Sequence, residues 1–268
     1  MVIMSKVIVS FSSIPSRIER TEKMFESIMS QSLIPDEVVV ALPKVSAREG
    51  CGYRIPSFIL DSGVTILDCD RDWGPATKLI PVLQREDDPD TIIVTVDDDI
   101  VYDPFVVEEL VEISKKYPQD AFGFMGTRDK DSIHAEYLIW DRFPVSLLGG
   151  YRGILYRRGF FDLDILLRQY EDSSDCSLCL VDDHLFANHL DLMGIGKYVV
   201  RTDHHRSVFP KDYVPLGYPY DMFLDGRLVG LNFCFLNLGN SLYDKVNSEK
   251  TSASYRKYEQ MARRNDIG

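Results

Sequence analysis

The sequence predicts an α/β fold, with a mainly parallel central sheet flanked by helices and a C-terminal helical extension. Short runs of β-branched apolar residues alternate with segments of helical spacing, which implies crossovers between parallel strands. One run, Thr91–Val96, has the length and composition of a strand buried on both faces. The chain has 268 residues, 45% of them hydrophobic, which is enough to bury the core of a large domain.

In the first half of the chain, apolar and β-branched runs predict four strands: Lys6–Phe11, Asp36–Leu42, Val64–Leu67 and Thr91–Val96. Apolar residues at helical spacing predict a helix over Arg17–Gln31. Proline in the first turn favours a short helix over Pro75–Leu83. Asp103 followed by Pro104 is typical of a helix start, and the apolar spacing beyond it continues to about Tyr117.

The second half is less regular. Strands are expected at Ala121–Met125, Glu136–Trp140, Gly153–Tyr156 and Lys197–Arg201, and helices at Phe160–Tyr170 and Val181–Leu192. Thr202–Tyr220 is polar, aromatic and proline-containing, which predicts a mobile loop, and a polar helix is expected from about Ser248. Without a linker or repeat, we expect one domain over 1–268: a nucleotide-binding half (about 1–100), an acceptor-binding half (about 101–220) and a C-terminal extension (about 221–268).

Composition restricts the partners and the compartment. The net charge of −12 argues against a nucleic-acid binder, which needs a basic face for phosphates. Five cysteines in no framework spacing favour reduced thiols. The apolar start is short and lacks a preceding basic region, so we interpret it as a strand rather than a signal peptide. No stretch approaches the roughly 20 apolar residues of a membrane span. We therefore expect a cytoplasmic protein without a membrane span.

Three consecutive carboxylates, Asp97, Asp98 and Asp99, follow the most apolar predicted strand. The carboxyl end of a strand in an open α/β sheet is where ligands bind. Adjacent anions repel one another unless they share a cation, and an all-oxygen set suits Mg²⁺ or Mn²⁺. We predict a metal site that holds a phosphate group. The alternative is a solvated acidic turn or a helix cap.

Two further segments also follow predicted strands. Asp72–Lys78 opens a helix, and its backbone amides together with Lys78 could meet a phosphate or a base edge. Ser10–Arg17 offers hydroxyls, amides and an arginine that would suit a nucleotide. The alternatives are a plain turn with an exposed lysine and a helix cap with a surface arginine.

Two later segments contain candidate catalytic groups. Asp182 and Asp183 begin a predicted helix, where one carboxylate could act as a general base or where Asp182 could simply cap the helix. In the predicted loop, His204 and His205 could complete a metal shell and Arg206 could steady a pyrophosphate, although they also fit a plain surface loop.

Two patterns point elsewhere. Cys176, Cys179, His184 and His189 are spaced somewhat like a zinc knuckle, but the two histidines diverge by about 140° on a helix, so we do not expect zinc. The pair Gly194 and Gly196 lacks the third glycine of a dinucleotide-binding loop, so a turn is expected.

Over residues 6–206 these segments together resemble the GT-A (Rossmann-like) fold of nucleotide-sugar glycosyltransferases. The resemblance rests on Asp97–Asp99 after a buried strand, the Gly74–Lys78 segment, Asp182–Asp183, and the glycine-rich stretch Gly149–Gly153. The pattern is most similar to inverting, family 2-like enzymes of bacterial surface-glycan loci and large algal viruses, among which is a rhamnosyltransferase. The resemblance implies transfer of a sugar from a nucleotide-diphosphate donor, such as a UDP-sugar, to a glycan hydroxyl.

The same resemblance implies roles for individual residues. Asp97 would face the ribose or uracil, and Asp99 would bind Mn²⁺ or Mg²⁺ together with Asp97. Asp98 would contribute to nucleotide binding. The nucleotide pocket would be lined by Ser12, Ile14, Arg17 and Lys78. Asp183 matches the second acid of a Glu–Asp pair that supplies the base. Because Asp182 replaces the glutamate, either acid could be the base.

Two other functions compete with this one. A sugar nucleotidyltransferase shares the α/β layout but would need a glycine-rich loop after the first strand, where this chain has Ser12–Pro15. A non-catalytic module that binds nucleotides or glycans would not need Asp99 and Asp183. The sequence also lacks the downstream aromatic acceptor motif of processive polysaccharide synthases.

Overall fold

The structure is a computed structural model that describes residues 5–128, 131–135, 138, 140–173, 182–202, 223–224 and 227–228. The chain divides into two compact units, Met1–Tyr213 and Val214–Gly268. The predicted C-terminal helix and all of the predicted loop beyond Thr202 lie outside the described residues. The single-domain organisation therefore stays a prediction.

The first unit contains an eight-stranded central sheet and a three-stranded sheet. Their strands are β1 (Val7–Phe11), β2 (Glu37–Pro43), β3 (Thr65–Cys69), β4 (Ile92–Thr95), β5 (Asp120–Gly123), β6 (Met125–Arg128), β7 (Asp131–His134), β8 (Arg142–Pro144), β9 (Leu147–Leu148), β10 (Ile154–Arg157) and β11 (Gly196–Val200). In the second unit, β12 (Phe223–Leu224) pairs antiparallel with β13 (Arg227–Leu228).

The central sheet has the strand order β3-β2-β1-β4-β10-β5-β11-β8, and the small antiparallel sheet has the order β7-β6-β9. Strands β1 to β4 pair in parallel, as do β5 and β11. Strand β10 runs antiparallel between β4 and β5, and β8 runs antiparallel at the edge. The predicted α/β class with a mainly parallel central sheet flanked by helices is confirmed, and the arrangement is consistent with a GT-A layout.

Seven α-helices are described: α1 (Pro15–Ile18), α2 (Glu22–Met29), α3 (Ser57–Leu60), α4 (Ile80–Arg85), α5 (Val106–Lys116), α6 (Leu163–Ser173) and α7 (Asp182–Leu192). Short 3₁₀ helices span Gly74–Lys78, Gly150–Arg152 and Arg158–Phe160. Helix α5 shows how these helices cover the sheet: its apolar residues, such as Val107 and Leu110, are fully buried, while acidic residues begin it and lysines end it. No helix within the described residues is both long enough and apolar enough to cross a membrane.

Strands β1 and β4 form the centre of the core. Every residue of both strands is buried, as expected for strands with helices on both faces of the sheet. They pair in parallel from Val7 opposite Ile92 to Ser10 opposite Thr95. This register brings the segments after both strands to the same edge of the sheet, called here the carboxyl edge.

The structure corrects several predicted boundaries in the first half of the chain. The helix predicted over Arg17–Gln31 is broken into α1 and α2, because the Thr21 hydroxyl and the Thr21 amide both donate to the Ile18 carbonyl and end the first helix. The helix predicted over Pro75–Leu83 is a 3₁₀ helix followed by α4. Gly74 begins it with a φ of +59°, a conformation that glycine adopts readily.

The second half differs more from the prediction. The strand predicted over Ala121–Met125 divides at Phe124 between the two sheets, and no strand includes Leu138 or Trp140, the described residues of the strand predicted over Glu136–Trp140. The strand in that region is instead the partly polar β7, paired with β6. Because β7 packs only in a small, partly exposed sheet, its sequence lacks the apolar alternation that would identify it.

Candidate active site

The three predicted carboxylates leave β4 at the carboxyl edge in three different environments. Asp97 is partly exposed, with 28% of its side-chain surface accessible, whereas Asp98 and Asp99 are buried. The solvated-turn interpretation is therefore wrong for Asp98 and Asp99. Buried carboxylates need cations or hydrogen-bond donors nearby, and the neighbouring elements supply both.

Asp98 anchors the segment that follows β1. One of its carboxylate oxygens accepts a hydrogen bond from the Ser13 hydroxyl at 2.5 Å, and the other pairs with the Arg17 guanidinium. Arg17 also lies 3.9 Å from Asp99. Tyr53 donates to the Ser13 carbonyl at 3.0 Å, which ties the segment to the rest of the unit. Asp98 thus holds Arg17 at the predicted nucleotide pocket, where Ser12 and Ile14 are partly exposed.

Lys78 lies at the centre of the site. Its ammonium nitrogen is 2.6 Å from an Asp97 oxygen and 3.0 Å from Asp182 Oδ2, and only 7% of its side chain is exposed. Burial opposes a charge on this group, but attraction by Asp182, Asp97 and Asp183 outweighs it and raises the pKa of Lys78 well above its usual value. Lys78 therefore stays charged and joins the acids after β4 to those that begin α7. The alternative of an exposed lysine in a plain turn is wrong.

The first turn of α7 supplies the opposite wall. Asp183 accepts the Gly150 amide hydrogen on both carboxylate oxygens, each at 3.1 Å, and the residue is partly exposed. Asp182 is 7% exposed. Its Oδ2 forms an ion pair with the Lys78 ammonium but accepts no hydrogen bond. The two adjacent acids therefore differ: Asp182 is buried against the Lys78 ammonium, whereas Asp183 is partly exposed to solvent.

Gly150 lies closer to both sides of the site than any larger residue could. A Cβ atom at this position would be 2.7 Å from Asp183 Oδ1 and 3.3 Å from Lys78 Nζ. The first distance is shorter than a carbon–oxygen contact allows. A larger residue at position 150 would therefore displace the Asp183 carboxylate from its present position.

The hydroxyl of Tyr102 connects the two loops of the site. It accepts a hydrogen bond from the Asp97 amide at 2.7 Å and donates one to the Tyr151 carbonyl at 3.0 Å. Tyr102 itself is buried, with 4% of its surface exposed. Through this residue, the turn that contains Asp97 and the turn that contains Gly150 are held together.

Among the residues that the structure describes, the site contains more negative than positive charge. Five carboxylates (Asp97, Asp98, Asp99, Asp182 and Asp183) are matched by two described cations, Arg17 and Lys78. Burial, and then repulsion by Asp97 and Asp98, raises the pKa of Asp99 to about 7. Burial, and then repulsion by Asp182, raises the pKa of Asp183 to about 8. Near neutral pH the site therefore retains protons that a bound cation would displace.

The donors present fit a divalent metal that arrives with a phosphorylated ligand. Within the described residues, no group of three or more His, Cys, Asp or Glu side chains is arranged to hold a metal ion by itself. Mg²⁺ bound with a nucleotide commonly uses only one or two carboxylates and takes its other ligands from phosphates and water. Asp97 and Asp99 would be those carboxylates, and the unbalanced negative charge around them favours a cation.

Several predicted site residues lie outside the described residues. They are His204, His205 and Arg206, together with Cys176 and Cys179 of the zinc-knuckle pattern. His189 of that pattern is described and is not a metal ligand: Nδ1 contacts Gln169 Oε1 at 2.8 Å and Nε2 accepts the Asp162 amide hydrogen at 3.2 Å. Both ring nitrogens are thus occupied. Gly194 forms a turn with a φ of +71°, as expected.

Three residues that the sequence did not identify as site groups complete the geometry: Ser13, Tyr102 and Gly150. Gly150 lies in the glycine-rich stretch that contributes to the resemblance to glycosyltransferases, so the sequence contained a signal for it. Its contact with Asp183 had no local signal, because the two residues are 33 positions apart. Ser13 lies within the predicted nucleotide segment, between the two residues assigned to the pocket. Tyr102 has no local signal, because a tyrosine before a helix is ordinarily a core residue.

Comparison with known proteins adds a likeness of fold. No family model matches the chain, and no curated protein matches it by sequence. Among the solved structures that match is a crystal structure of S. aureus TarS, with 16% sequence identity and a TM-score of 0.47. The match covers 74% of this chain but only 37% of TarS. A likeness at this level does not bear on activity or substrate.

Proposed function

We propose that this protein is a metal-dependent inverting glycosyltransferase. It would move a sugar from a nucleotide-diphosphate donor, UDP-linked in the first instance, to a glycan hydroxyl. The observation that carries this proposal is the convergence of two acidic segments at Lys78, in which Asp183 is partly exposed to solvent. Separate acidic segments allow one group to hold the donor while the other receives a proton.

The donor would bind along the carboxyl edge. Arg17, fixed by Asp98, offers a cation beside the segment after β1, where a nucleotide fits. Asp97 and Asp99 would hold Mg²⁺ or Mn²⁺ with the diphosphate. Such an ion stabilises the negative charge that the diphosphate gains as the bond between sugar and phosphate breaks.

Asp183 has the properties of a general base for the acceptor. As the acceptor oxygen bonds to the anomeric carbon, its proton would pass to the Asp183 carboxylate, and the nucleoside diphosphate would leave on the opposite face. A pKa of about 8 lies near physiological pH, which is where a general base is most effective. Asp182, which contacts the Lys78 ammonium, would instead keep that cation in place. Attack from the face opposite the leaving group would invert the anomeric configuration.

Donor binding and turnover test the proposal separately. Melting temperatures with UDP, GDP, CMP and dTDP, each with and without Mn²⁺, identify the nucleotide, because only a ligand of the folded protein raises the melting temperature. Calorimetry should then show at least about tenfold tighter UDP binding with Mn²⁺ than with excess chelator, or roughly 1.4 kcal/mol. Asp99→Asn should bind UDP as weakly with Mn²⁺ as the wild type does with chelator. Asp87→Asn is the matched control, because Asp87 is exposed on the loop before β4.

Asp183→Asn should reduce transfer at least about a hundredfold while UDP affinity stays within a few-fold of wild type. Asp164→Asn is the matched control: Asp164 also lies in the first turn of an 11-residue helix, but it is exposed. Loss of activity in Asp182→Asn alone would move the base to Asp182. Full turnover in both variants, or a product that retains the donor configuration, would refute the mechanism.

A further inference from the structure

A single row of paired residues connects the candidate active site with the far edge of the central sheet. Thr95 of β4 pairs with Ile154, Ile154 with Gly123, Gly123 with Val199, and Val199 with Phe143 of β8. Adjacent strands lie about 4.8 Å apart, so the four steps of this row place Phe143 about 19 Å from Thr95.

The residues before β8 project beyond the carboxyl edge. Strand β8 runs antiparallel to β11, and its first residue, Arg142, pairs with the last residue of β11, Val200. One step further out, the Arg201 amide donates to the Asp141 carbonyl at 2.9 Å. Trp140 therefore lies at the same edge of the sheet as Asp97, in the same compact unit and four strands away.

Trp140 forms part of an aromatic platform, defined here as Trp140, Phe143 and Arg128. The Trp140 and Phe143 rings are stacked, with centroids 6.3 Å apart and planes inclined by 29°. The Arg128 guanidinium carbon lies 5.5 Å from the centre of the Phe143 ring. Although Trp140 is the largest type of apolar side chain, 60% of its surface is exposed. The exposed indole, stacked on Phe143 with charged groups nearby, presents a flat aromatic surface to solvent.

We infer that the aromatic platform binds a sugar ring of an extended acceptor, so that the acceptor is an oligosaccharide that follows the carboxyl edge. This inference rests on the proposed function and deepens it. A pyranose ring has a face of C–H groups that packs on the electron-rich face of an indole, while its hydroxyls bond to charged groups at the ring edge. Two exposed residues could supply such groups: Arg128, which lies over the Phe143 ring, and Asp141, the neighbour of Trp140 in the chain.

The position of the platform requires an extended acceptor. The platform lies about 19 Å along the row from the end of β4, so an acceptor that reaches both the candidate active site and Trp140 must contain several sugar units. A nucleic acid is disfavoured by the net charge of −12. The platform is also far smaller than the apolar core of a stable protein interface, and charged residues flank it.

Binding of oligosaccharides of defined length tests the inference. The panel contains linear chains of one to six sugars in three chemistries: hexose, N-acetylhexosamine and 6-deoxyhexose. Calorimetry of the full chain with UDP and Mn²⁺ should show affinity rising at least about tenfold between two and five sugars in one chemistry, or about 1.4 kcal/mol. Trp140→Ala should lose that gain and leave disaccharide and UDP affinity unchanged. Trp140→Phe, which keeps a flat aromatic face, should retain most of it.

A second readout uses the two tryptophans of the chain. Trp73 is 7% exposed, so iodide should quench mainly Trp140, and a bound pentasaccharide should protect that emission. Affinity that does not depend on length, equal pentasaccharide binding by Trp140→Ala, or no binding by any chain would overturn the inference. Failure of the proposed function is distinct, because it appears as a wild-type protein that neither binds UDP nor consumes a donor.

Discussion

Raising the pH should destabilise this protein in a range where few other groups titrate, because the candidate active site retains protons. The pKa of Asp99 is about 7 and that of Asp183 about 8, whereas an aspartate in an unfolded chain has a pKa of about 3.9. Between these values the folded state binds more protons than the unfolded state. The contribution of these two groups to the free energy of unfolding therefore falls as the pH rises from about 4 to about 8.

The size of the effect follows from the two pKa values. From pH 6.5 to 8.5, deprotonation of Asp183 lowers the free energy of unfolding by about 2 kcal/mol, and deprotonation of Asp99 lowers it by about 1 kcal/mol. Each pH unit over which the folded state holds one extra proton changes this free energy by about 1.36 kcal/mol. The sum of about 2–3 kcal/mol corresponds to a fall of roughly 4–10 °C in melting temperature for a chain of this size. The range lies above the pKa of about 4 that burial gives His184 and His189, so neither contributes.

Chemical denaturation at several pH values between 6.5 and 8.5 measures this slope directly. Asp183→Asn should remove the larger part of it and be more stable than wild type at pH 8.5, because the buried charge is gone. Asp164→Asn, the exposed counterpart, should keep the full slope. Millimolar Mn²⁺ should flatten the wild-type curve by displacing the retained protons. A wild-type protein of equal stability at both ends of the range, or an unchanged slope in Asp183→Asn, would refute this account of the site electrostatics.

Two further substitutions test how the loops position Asp183 and Asp97. Gly150→Ala places a Cβ 2.7 Å from Asp183 Oδ1 and should lower transfer about 10- to 100-fold with nearly normal UDP affinity. Gly149→Ala, whose Cβ meets mainly the Met125 side chain, should lower transfer much less. Equal losses of transfer in both variants would contradict the proposed contact. Tyr102→Phe leaves the Asp97 amide and the Tyr151 carbonyl without their partner and should reduce stability by about 1–3 kcal/mol in urea denaturation, whereas wild-type stability would show that water replaces the hydroxyl.

The parts of the fold that the sequence predicted are those whose signal is local. Strands β1 and β4 are buried on both faces, so their apolar runs identified them, and α5 has the apolar spacing of a helix against a sheet. Strand β8 was not predicted, because a strand of three residues at the edge of a sheet is too short to show a periodic pattern of apolar residues. The antiparallel direction of β10 also has no local signal, since it depends on the path of the chain through the small sheet.

The same division holds within the site. The acids after β4 and at the start of α7 stand out because carboxylates beside apolar runs are unusual. What the sequence could not reveal is how the acids share cations. Lys78 was predicted to meet a phosphate or a base, and the structure places its ammonium between Asp97 and Asp182. Pairing across 19 and 104 residues depends on the folded sheet and not on any nearby motif.

The position of Lys78 bears on how a metal would act in the proposed reaction. Its ammonium already lies between the two acidic segments, where it offsets part of the charge that would otherwise push them apart. Asp97 and Asp99 would hold a divalent ion, which would supply positive charge for the departing diphosphate. Burial and repulsion by Asp182 raise the pKa of Asp183, and attraction to Lys78 opposes them by favouring the ionised carboxylate. Lys78 would therefore assist the proposed base directly, through its position beside Asp182.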